Sequence, residues 1–322
     1  MKKTLVAVAA MAAVTGAMAE VTIFGIVDQG YTMSSTKVGN ATSKVTSVGA
    51  QYTGSELGFK GSEDLGGGLT ASFQIHFSPS TETTASPTGY LSNVGLSGGF
   101  GAVKLGQNFS PMFFHSLAFD ATGASAFGYN VAQGVTPSFG LIPNTIQYDL
   151  PTLVPGLGVS YMMAKGEVAR PAPATTSVND LSNIRLMYST GPFSAGMSSA
   201  TTKGIAGAST KDSGTGVSYD LGMAKVLYNA TSSKASTAAV ATKGTSIGVS
   251  IPLGATTLNY TSTTSKNTSA ANAQSSGSLL QAIYGLSKRT NLVIQSGTTK
   301  VTSGTSNGNT NKANGVGLWH SF

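Results

Sequence analysis

The sequence contains no cysteine, so disulfide bridges, thiol catalysis and cysteine-based metal sites are all excluded. Charge is also scarce, because only 10% of the residues are Asp, Glu, Lys or Arg, whereas ordinary soluble domains carry about 25%. The chain is instead rich in Gly, Ser, Thr and Asn, which separate short apolar stretches. This composition suits a wall that faces lipid on one side and water on the other.

Long apolar runs are missing as well, apart from one at the start of the chain. Lys2 and Lys3 precede an apolar run over 5–14, and Ala17 and Ala19 frame a small-residue cleavage site. A membrane anchor would need about 20 apolar residues, and this run is shorter. We therefore expect residues 1–19 to be a cleaved signal peptide and the mature chain to begin at the next residue.

Every later apolar stretch is interrupted within a few residues by Gly, Ser, Thr or Asn. A membrane span must then be built of strands, and the sheet must close, because an open edge would leave backbone groups unpaired in hydrocarbon. About 300 residues suffice for some 16 strands with their loops. The sequence thus predicts an all-β fold, a 16-stranded antiparallel transmembrane β-barrel that residues 20–322 form as one domain.

Turns follow one another in two alternating styles, which supports this architecture. Short turns with Gly, Pro or Asp lie at 63–68, 97–101, 151–156, 190–192, 220–222 and 252–254, and a further short turn, Ser-Lys-Arg-Thr, lies at 287–290. Long polar segments lie near 34–50, 79–88, 109–143, 166–180, 203–213, 232–243, 265–276 and 302–313. Short turns at one end of a barrel and long loops at the other are typical of outer-membrane barrels.

Individual strands alternate between apolar and polar positions, and in such a barrel the apolar face meets lipid while the polar face meets the lumen. The polar residues that this alternation assigns to the lumen are Glu56, Lys60, Gln74, His76, Gln147 and Asp149. In the last strand, one face carries Val316, Leu318, His320 and Phe322. We expect this strand to close the barrel by pairing with the strand that begins near Glu20.

Three stretches resemble the general porins of beta-proteobacterial outer membranes: VTIFGIVD at 21–28, SELGFKGSEDLGGGL at 55–69 and VGLSGGFGAVKLG at 94–106. The resemblance is specific over 20–150 and in the final strand. It implies a passive, non-enzymatic channel in the outer membrane of a Gram-negative bacterium, a homotrimer, and a third loop folded into the pore. It also implies that Phe322 is an assembly signal for the insertion machinery.

In these porins the third loop follows a Leu-Gly-Arg-Gln type segment, and here Leu105-Gly106-Gln107-Asn108 takes that place. We therefore expect the constriction loop at about 107–143. A loop of this length without structure of its own is uncommon unless it is functional. The alternative is an extracellular flap.

The resemblance also implies lumenal arginines that face acidic residues on the third loop, and the sequence departs from that pattern. Glu56, Gln107 and Gln147 stand at positions where the family commonly has a cation, and Tyr90 stands near another. We expect the anion preference of this pore to be weaker than in the family. The predicted constriction residues are Glu56, Lys60, His76, Tyr90, Lys104, Gln107, His115, Asp120 and Gln147.

The third loop is rich in aromatic residues, namely Phe109, Phe113, Phe114, Phe119, Phe127, Tyr129 and Phe139. They either wedge the loop against the barrel wall or form a path for neutral and aromatic solutes. The other long loops carry many more lysines than carboxylates, for instance Lys37, Lys44 and Lys165. These lysines either concentrate anions at the mouth or contact lipopolysaccharide and keep the loops soluble.

Other classes of function find little support in the sequence. His76, His115 and His320 lie on different strands and loops, without a nucleophile elbow or a metal-binding helix motif, so we expect no catalytic site, no metal site and no cofactor. The lysines are dispersed, without the aromatic platform of a nucleic-acid-binding surface. The remaining alternatives are a substrate-specific channel, or a loop-mediated surface adhesin, on the same barrel.

Overall fold

The computed structural model describes residues 20–79, 86–123, 125–128, 130–136, 140–166, 180–204, 207–238, 241–267 and 273–322. The predicted signal peptide lies outside the described residues. The first strands are β1 Glu20–Val38, β2 Ala41–Gly49, β3 Glu56–Gly66, β4 Leu69–Ser78, β5 Thr88–Gly98, β6 Gly101–Phe109, β7 Leu141–Asp149, β8 Leu157–Ala164 and β9 Asp180–Thr190. They continue as β10 Phe193–Lys203, β11 Ser209–Asp220, β12 Lys225–Ala235, β13 Thr242–Leu253, β14 Thr256–Asn267, β15 Gln274–Gly285, β16 Thr290–Ser303 and β17 Thr310–Ser321.

These seventeen strands form a closed antiparallel barrel with sixteen strand positions around its circumference. The difference of one arises at β1, which spans 19 residues and has two partners on the same side. Its first part pairs with β3, from Glu20 to Ile26, and its second part pairs with β2, from Gly30 to Val38. β2 and β3 therefore occupy a single strand position of the barrel, and residues 50–55, which leave the sheet, interrupt it.

The barrel closes between its first and last strands. β17 pairs with β16 on one side and with β1 on the other, where Ile26 lies opposite Ser321. Gly25 and Phe322 exchange backbone hydrogen bonds of 3.1 and 3.3 Å. The expectation that the last strand pairs with the strand beginning near Glu20 is confirmed.

The two faces of the wall differ in polarity as the alternation predicts. On β15, Leu280 is 52% exposed while its neighbour Gln281 is fully buried. On β4, Ile75 and Phe77 are exposed, and Gln74 and His76 lie on the opposite face. Apolar side chains thus occupy the exposed face and polar side chains the covered one, as expected of a barrel whose outer surface meets lipid.

Several loops are shorter than expected. The segment predicted as a loop at 34–50 is mostly the hairpin of β1 and β2, which turns at Gly39 with a φ of 57°. Thr and Val residues there favour extended backbone, so the ladder continues beyond the predicted end. Strand ends likewise occupy much of the loops expected at 203–213, 232–243, 265–276 and 302–313.

One α-helix, α1, covers Pro111–Ala118 between β6 and β7, and a 3-10 turn follows at Gln133–Val135. None of the helices in the described ranges combines the length and hydrophobicity that a membrane-crossing helix needs.

Candidate functional site

Five of the predicted constriction residues line one cavity of about 590 Å³. They come from five consecutive strands, β3 to β7, and are Glu56, His76, Tyr90, Lys104 and Gln147. The strands contribute them from their covered, polar face, so the two-residue period that the sequence shows is what brings them together.

Charges in this cavity are paired locally. Lys104 Nζ lies 3.0 Å from Asp149 Oδ2, and Gln147 Nε2 donates to the other oxygen of the same carboxylate at 2.9 Å. Glu56 Oε2 lies 3.4 Å from His76 Nδ1, and a histidine is a counter-ion only when it is protonated. The cation of Lys104 is therefore balanced, whereas Glu56 faces a histidine rather than a permanent cation.

Aromatic residues form one wall of the cavity. The rings of Phe109 and Phe113 stack with centroids 4.4 Å apart, and Phe114 contacts both edge-on. The ring of Tyr90 meets Phe109 edge-on at 5.4 Å. These aromatic residues therefore face the cavity, together with the polar groups above.

The helix α1 begins at a well-formed cap. Ser110 Oγ accepts a hydrogen bond from the backbone N–H of Phe113 at 3.0 Å, and Pro111 occupies the first turn, where its missing N–H costs nothing. One side of the helix contacts strands β8 to β11. Met112 packs there, fully buried, in a cluster with Met162, Ala164, Leu181 and Ala200.

Glycines on β10 and β11 leave room for the side chains of His115 and Phe119. A Cβ atom at Gly216 would collide with the ring of Phe119, which is almost completely buried, and one at Gly196 would lie in tight contact with the same ring. A Cβ at Gly214 would meet the imidazole of His115. Phe119 therefore acts as a wedge, as one of the two interpretations of the loop aromatics requires.

The structure places His115 and Asp120 away from the cavity. His115 is fully buried, and its Nε2 donates to Asn229 Oδ1 at 3.2 Å. Asp120 Oδ1 accepts hydrogen bonds from the backbone and hydroxyl groups of Thr122 at 3.0 and 2.9 Å and from Thr261 Oγ1 at 3.3 Å. Both residues attach the loop to the polar faces of β12 and β14.

The rest of the described part of the loop is attached in the same way. Thr231 Oγ1 donates to the carbonyl of Ala132 at 2.7 Å, and Ser125 Oγ donates to Gln295 Oε1 at 2.7 Å. Phe127 packs against Leu279 and Ala313. Attachment points thus extend from β8 to β17. Tyr129 and Phe139 lie outside the described residues.

Residues 50–55 form a clasp that joins β1 to this loop. The carboxylate of Asp28, which is fully buried, accepts the backbone N–H groups of Gln51, Tyr52, Thr53 and Gly54 at 2.7–3.0 Å. The carbonyl of Tyr52 then accepts the N–H of Ala126 at 2.6 Å, and the hydroxyl that Ser125 donates to Gln295 is shared with the carbonyl of Gln51, 3.2 Å from Ser125 Oγ.

The clasp is also bonded to the neighbouring part of the wall, formed by β14 to β17. Gln295 Nε2 donates to the Gln51 carbonyl, and Gln281 and Asn259 extend this chain of amides across β15 and β14, with bonds of 2.9 and 2.8 Å. The side chain of Gln51 fits only because glycines stand at positions 30, 315 and 317, where a Cβ would collide with it.

Besides His115 and Asp120, two more predicted residues lie outside the cavity lining, namely Gln107 and Lys60. Gln107 Nε2 donates to the backbone carbonyl of Tyr90 at 2.5 Å. The pairing of β6 with β7 is irregular between Gly106, whose φ is 132°, and Asn108, so Asn108 lines the cavity instead. Lys60 Nζ lies 5.1 Å from the ring centre of Phe24, a cation–π arrangement.

Sequence reasoning missed Asp28 and Arg185. Asp28 occupied a covered position of β1, but the groups that bind it are backbone N–H groups, which leave no mark in a sequence. Arg185 shares a face of β9 with the buried Asn183 and interacts electrostatically with Asp149 and His115. The sequence signal for Arg185 was its place two residues after Asn183, on the polar face of the same strand. Arg185 lies outside the stretches that carry the resemblance.

A family model described as Gram-negative porin matches residues 7–304. The chain belongs to this family. Porin protein 32 of the outer membrane of Delftia acidovorans is 32% identical over 242 residues, which cover 70% of this chain and 68% of that protein. Major outer membrane protein P.IB of Neisseria meningitidis is 39% identical over 111 residues, which is 33% of this chain and 34% of that protein. The chain is therefore an outer-membrane porin.

Solved structures agree in fold. The anion-selective porin from Comamonas acidovorans has a TM-score of 0.81 at 24% identity and covers 95% of this chain and 100% of its own. The trimer form of OmpT from Vibrio cholerae has a TM-score of 0.68 at 12% identity and covers 94% and 99%. At these identities the likeness concerns the barrel fold. Within the described ranges, histidine and carboxylate side chains form no group that could hold a metal ion.

We predict that Asp28→Asn destabilises the porin, because an amide cannot accept the four N–H groups that the carboxylate accepts. Hydrogen bonds to charged groups contribute about 1.5–3 kcal/mol each, so we expect a loss of at least about 2 kcal/mol. Denaturant unfolding in lipid vesicles measures it. Asp220→Asn is the control, since Asp220 accepts one bond at an exposed turn, from Gly222 N at 2.8 Å. Equal losses in the two variants would contradict the role of the clasp.

The attachment of α1 should weaken in acid. Burial lowers the pKa of His115 to about 4, and the positive charge of Arg185 acts in the same direction. A detached imidazole titrates near 6.5, whereas the attached state requires the neutral imidazole. The attached state is therefore most stable above about pH 6.5, and its stability declines as the pH falls toward 4.

The porin lacks cysteine, so a single Ser116→Cys reports this detachment. Ser116 is fully buried, whereas Phe114 is 39% exposed and supplies the control, Phe114→Cys. The ratio of maleimide labelling rates at positions 116 and 114 should rise between pH 6.5 and 4. Adding His115→Gln should make the ratio independent of pH, and an unchanged pH profile in that variant would refute the prediction.

Proposed function

We propose that the barrel encloses a water-filled passage through which small hydrophilic solutes and ions diffuse, without catalysis. The observation that carries this proposal is the inverted polarity of the wall, where polar residues such as Asn259, Thr261 and Gln281 are covered and Tyr260 and Leu280 are exposed. In a closed barrel, the face that a loop of the same chain can cover is the inner face. The covered polar residues therefore line the interior.

We further propose that the third loop, at about 107–143, folds inward and narrows this passage. Its described residues bond to the covered faces of the strands, through Asp120, Ala132 and Ser125 among others. The cavity lined by Glu56, Lys104 and the loop aromatics is then the constriction, and residues that attach the loop, such as His115, contribute by position.

The anion preference of this passage is proposed to be weak. Lys104 is paired with Asp149 at 3.0 Å, so this cation does not offer its full charge to a passing anion. Glu56 adds negative charge at the cavity wall. The selectivity named for the Comamonas porin belongs to that protein, since a likeness at 24% identity concerns the fold.

Partners follow from the same proposal. The exposed apolar band meets outer-membrane lipid, and lysines such as Lys37, Lys44 and Lys165 are placed to contact lipopolysaccharide. Phe322 is proposed to serve the insertion machinery as an assembly signal in addition to its pairing with Gly25. The trimer form of OmpT supports a homotrimer for this chain.

The trimer is tested by electrophoresis in detergent with and without boiling. The unboiled porin should migrate as a species about three times the size of the boiled chain, because closed barrels resist detergent and large interfaces between them survive with the fold. Chemical cross-linking before boiling provides the control. A monomer under both conditions would contradict the homotrimer and leave the channel proposal intact.

The passage and its selectivity are tested together in planar bilayers. The porin should give ohmic current steps, and Glu56→Arg should move the reversal potential in a salt gradient toward anion preference, with Glu56→Gln in between. At a protein surface, charges 4 Å apart interact by about 4 kcal/mol, which suffices to change the ion preference of a narrow passage.

Glu63→Gln is the matched control, because Glu63 lies on β3 seven residues away and therefore on the opposite face. It should leave the reversal potential unchanged. Ohmic steps with the same reversal potential in all variants would exclude Glu56 from the constriction, and a complete absence of current would contradict the channel.

A further inference from the structure

The aromatic wall of the cavity is larger than attachment of the loop requires. Phe119 and Phe127 already fix the loop by packing into the wall. Phe109, Phe113 and Phe114 instead face the cavity, and Phe114 is 39% exposed. Apolar area left in contact with water costs about 25 cal/mol per Å² relative to burial. A solute that covers this aromatic surface would therefore gain binding free energy.

A carboxylate lies next to this wall. Tyr90 and Glu56 line the same cavity, and the ring of Tyr90 contacts Phe109 edge-on at 5.4 Å. Tyr90 therefore connects the acidic group to the aromatic group. His76 stands 3.4 Å from Glu56, and its Nε2 is buried without a hydrogen-bond partner among the described residues.

The remaining polar groups of the cavity do not favour an anion. The ammonium of Lys104 is bound by Asp149 at 3.0 Å. Asn93, Asn108 and Gln147 are neutral amides, and they are already engaged with one another, with Thr145 or with Asp149. The volume of about 590 Å³ falls within the range of pockets that hold small molecules.

We propose that this cavity is a binding subsite for solutes that combine a planar aromatic ring with a primary ammonium group. The ammonium pairs with Glu56, and the ring stacks on Phe113 and Phe114. An aromatic carboxylate is disfavoured because it meets Glu56 instead. This inference rests on the proposed passage and adds a class of solute to it. Both interpretations of the loop aromatics then apply to different residues: Phe119 and Phe127 wedge the loop against the wall, and Phe113 and Phe114 contact solutes.

Single-channel recording with 2-phenylethylamine as the probe tests the subsite. The amine should interrupt the open-channel current at a concentration at least about tenfold lower than 3-phenylpropionate, because the two differ mainly in the sign of their charge. It should also act at about fivefold lower concentration than 2-cyclohexylethylamine, which has the same charge but no aromatic face for ring stacking.

Variants assign these two differences to residues. Glu56→Gln should raise the half-blocking concentration of the amine about tenfold, as expected for a lost charge-assisted hydrogen bond, and Glu63→Gln should not. Phe113→Leu should abolish the preference for the aromatic over the cyclohexyl amine, with block by each amine expressed relative to that variant's own open-channel current. Current steps of any size show that the variant is folded.

The outcomes separate the subsite from the channel. Normal current steps with equal block by the amine and the carboxylate, or block that Glu56→Gln leaves unchanged, would overturn the subsite and leave the passage standing. Equal block by the two amines would overturn the role of the aromatic wall in it. A porin without current steps would overturn the passage and with it the subsite.

Discussion

The carboxylate of Asp28 holds together the parts of this porin that a regular barrel cannot. A ladder of strands satisfies its own backbone, so it offers no free groups to a loop that must be fixed against it. Four consecutive N–H groups converge on Asp28 and bring residues 50–55 out of the sheet. This exposes the carbonyls of Gln51 and Tyr52, to which the third loop binds through Ser125 and Ala126.

The loop is therefore held by two kinds of interaction. Near α1 the fit is steric, because Phe119 occupies space that exists only where β10 and β11 carry Gly196 and Gly216. At the clasp it is polar, through the amides of Gln281 and Gln295. A loop attached at one point could pivot about it, whereas attachments at Phe119 and at Ser125, six residues apart in the chain, define its path across the wall.

The wall was predictable from the sequence because its rule is local. A period of two residues assigned Gln74 and His76 to one face and Ile75 and Phe77 to the other without knowledge of any partner. The clasp, and the exchange of Gln107 for Asn108 at the irregular pairing beside Gly106, depend on backbone groups distant in sequence. His115 and Asp120 were assigned to the constriction because they are polar, but burial against Asn229 and Thr261 makes them attachments.

Pairing of charges decides what kind of selectivity such a passage can have. An unpaired row of cations attracts anions of any shape, since Coulomb attraction is not directional. Here Asp149 neutralises Lys104, and the groups left to discriminate are a carboxylate, several amides and a set of ring faces. In the passage that we propose, these groups recognise the shape of a solute and the position of its charge. Such a passage gives up a strong preference for one sign of charge and gains a preference among molecules, so its aromatic residues matter as much as the arginines that the family resemblance implies.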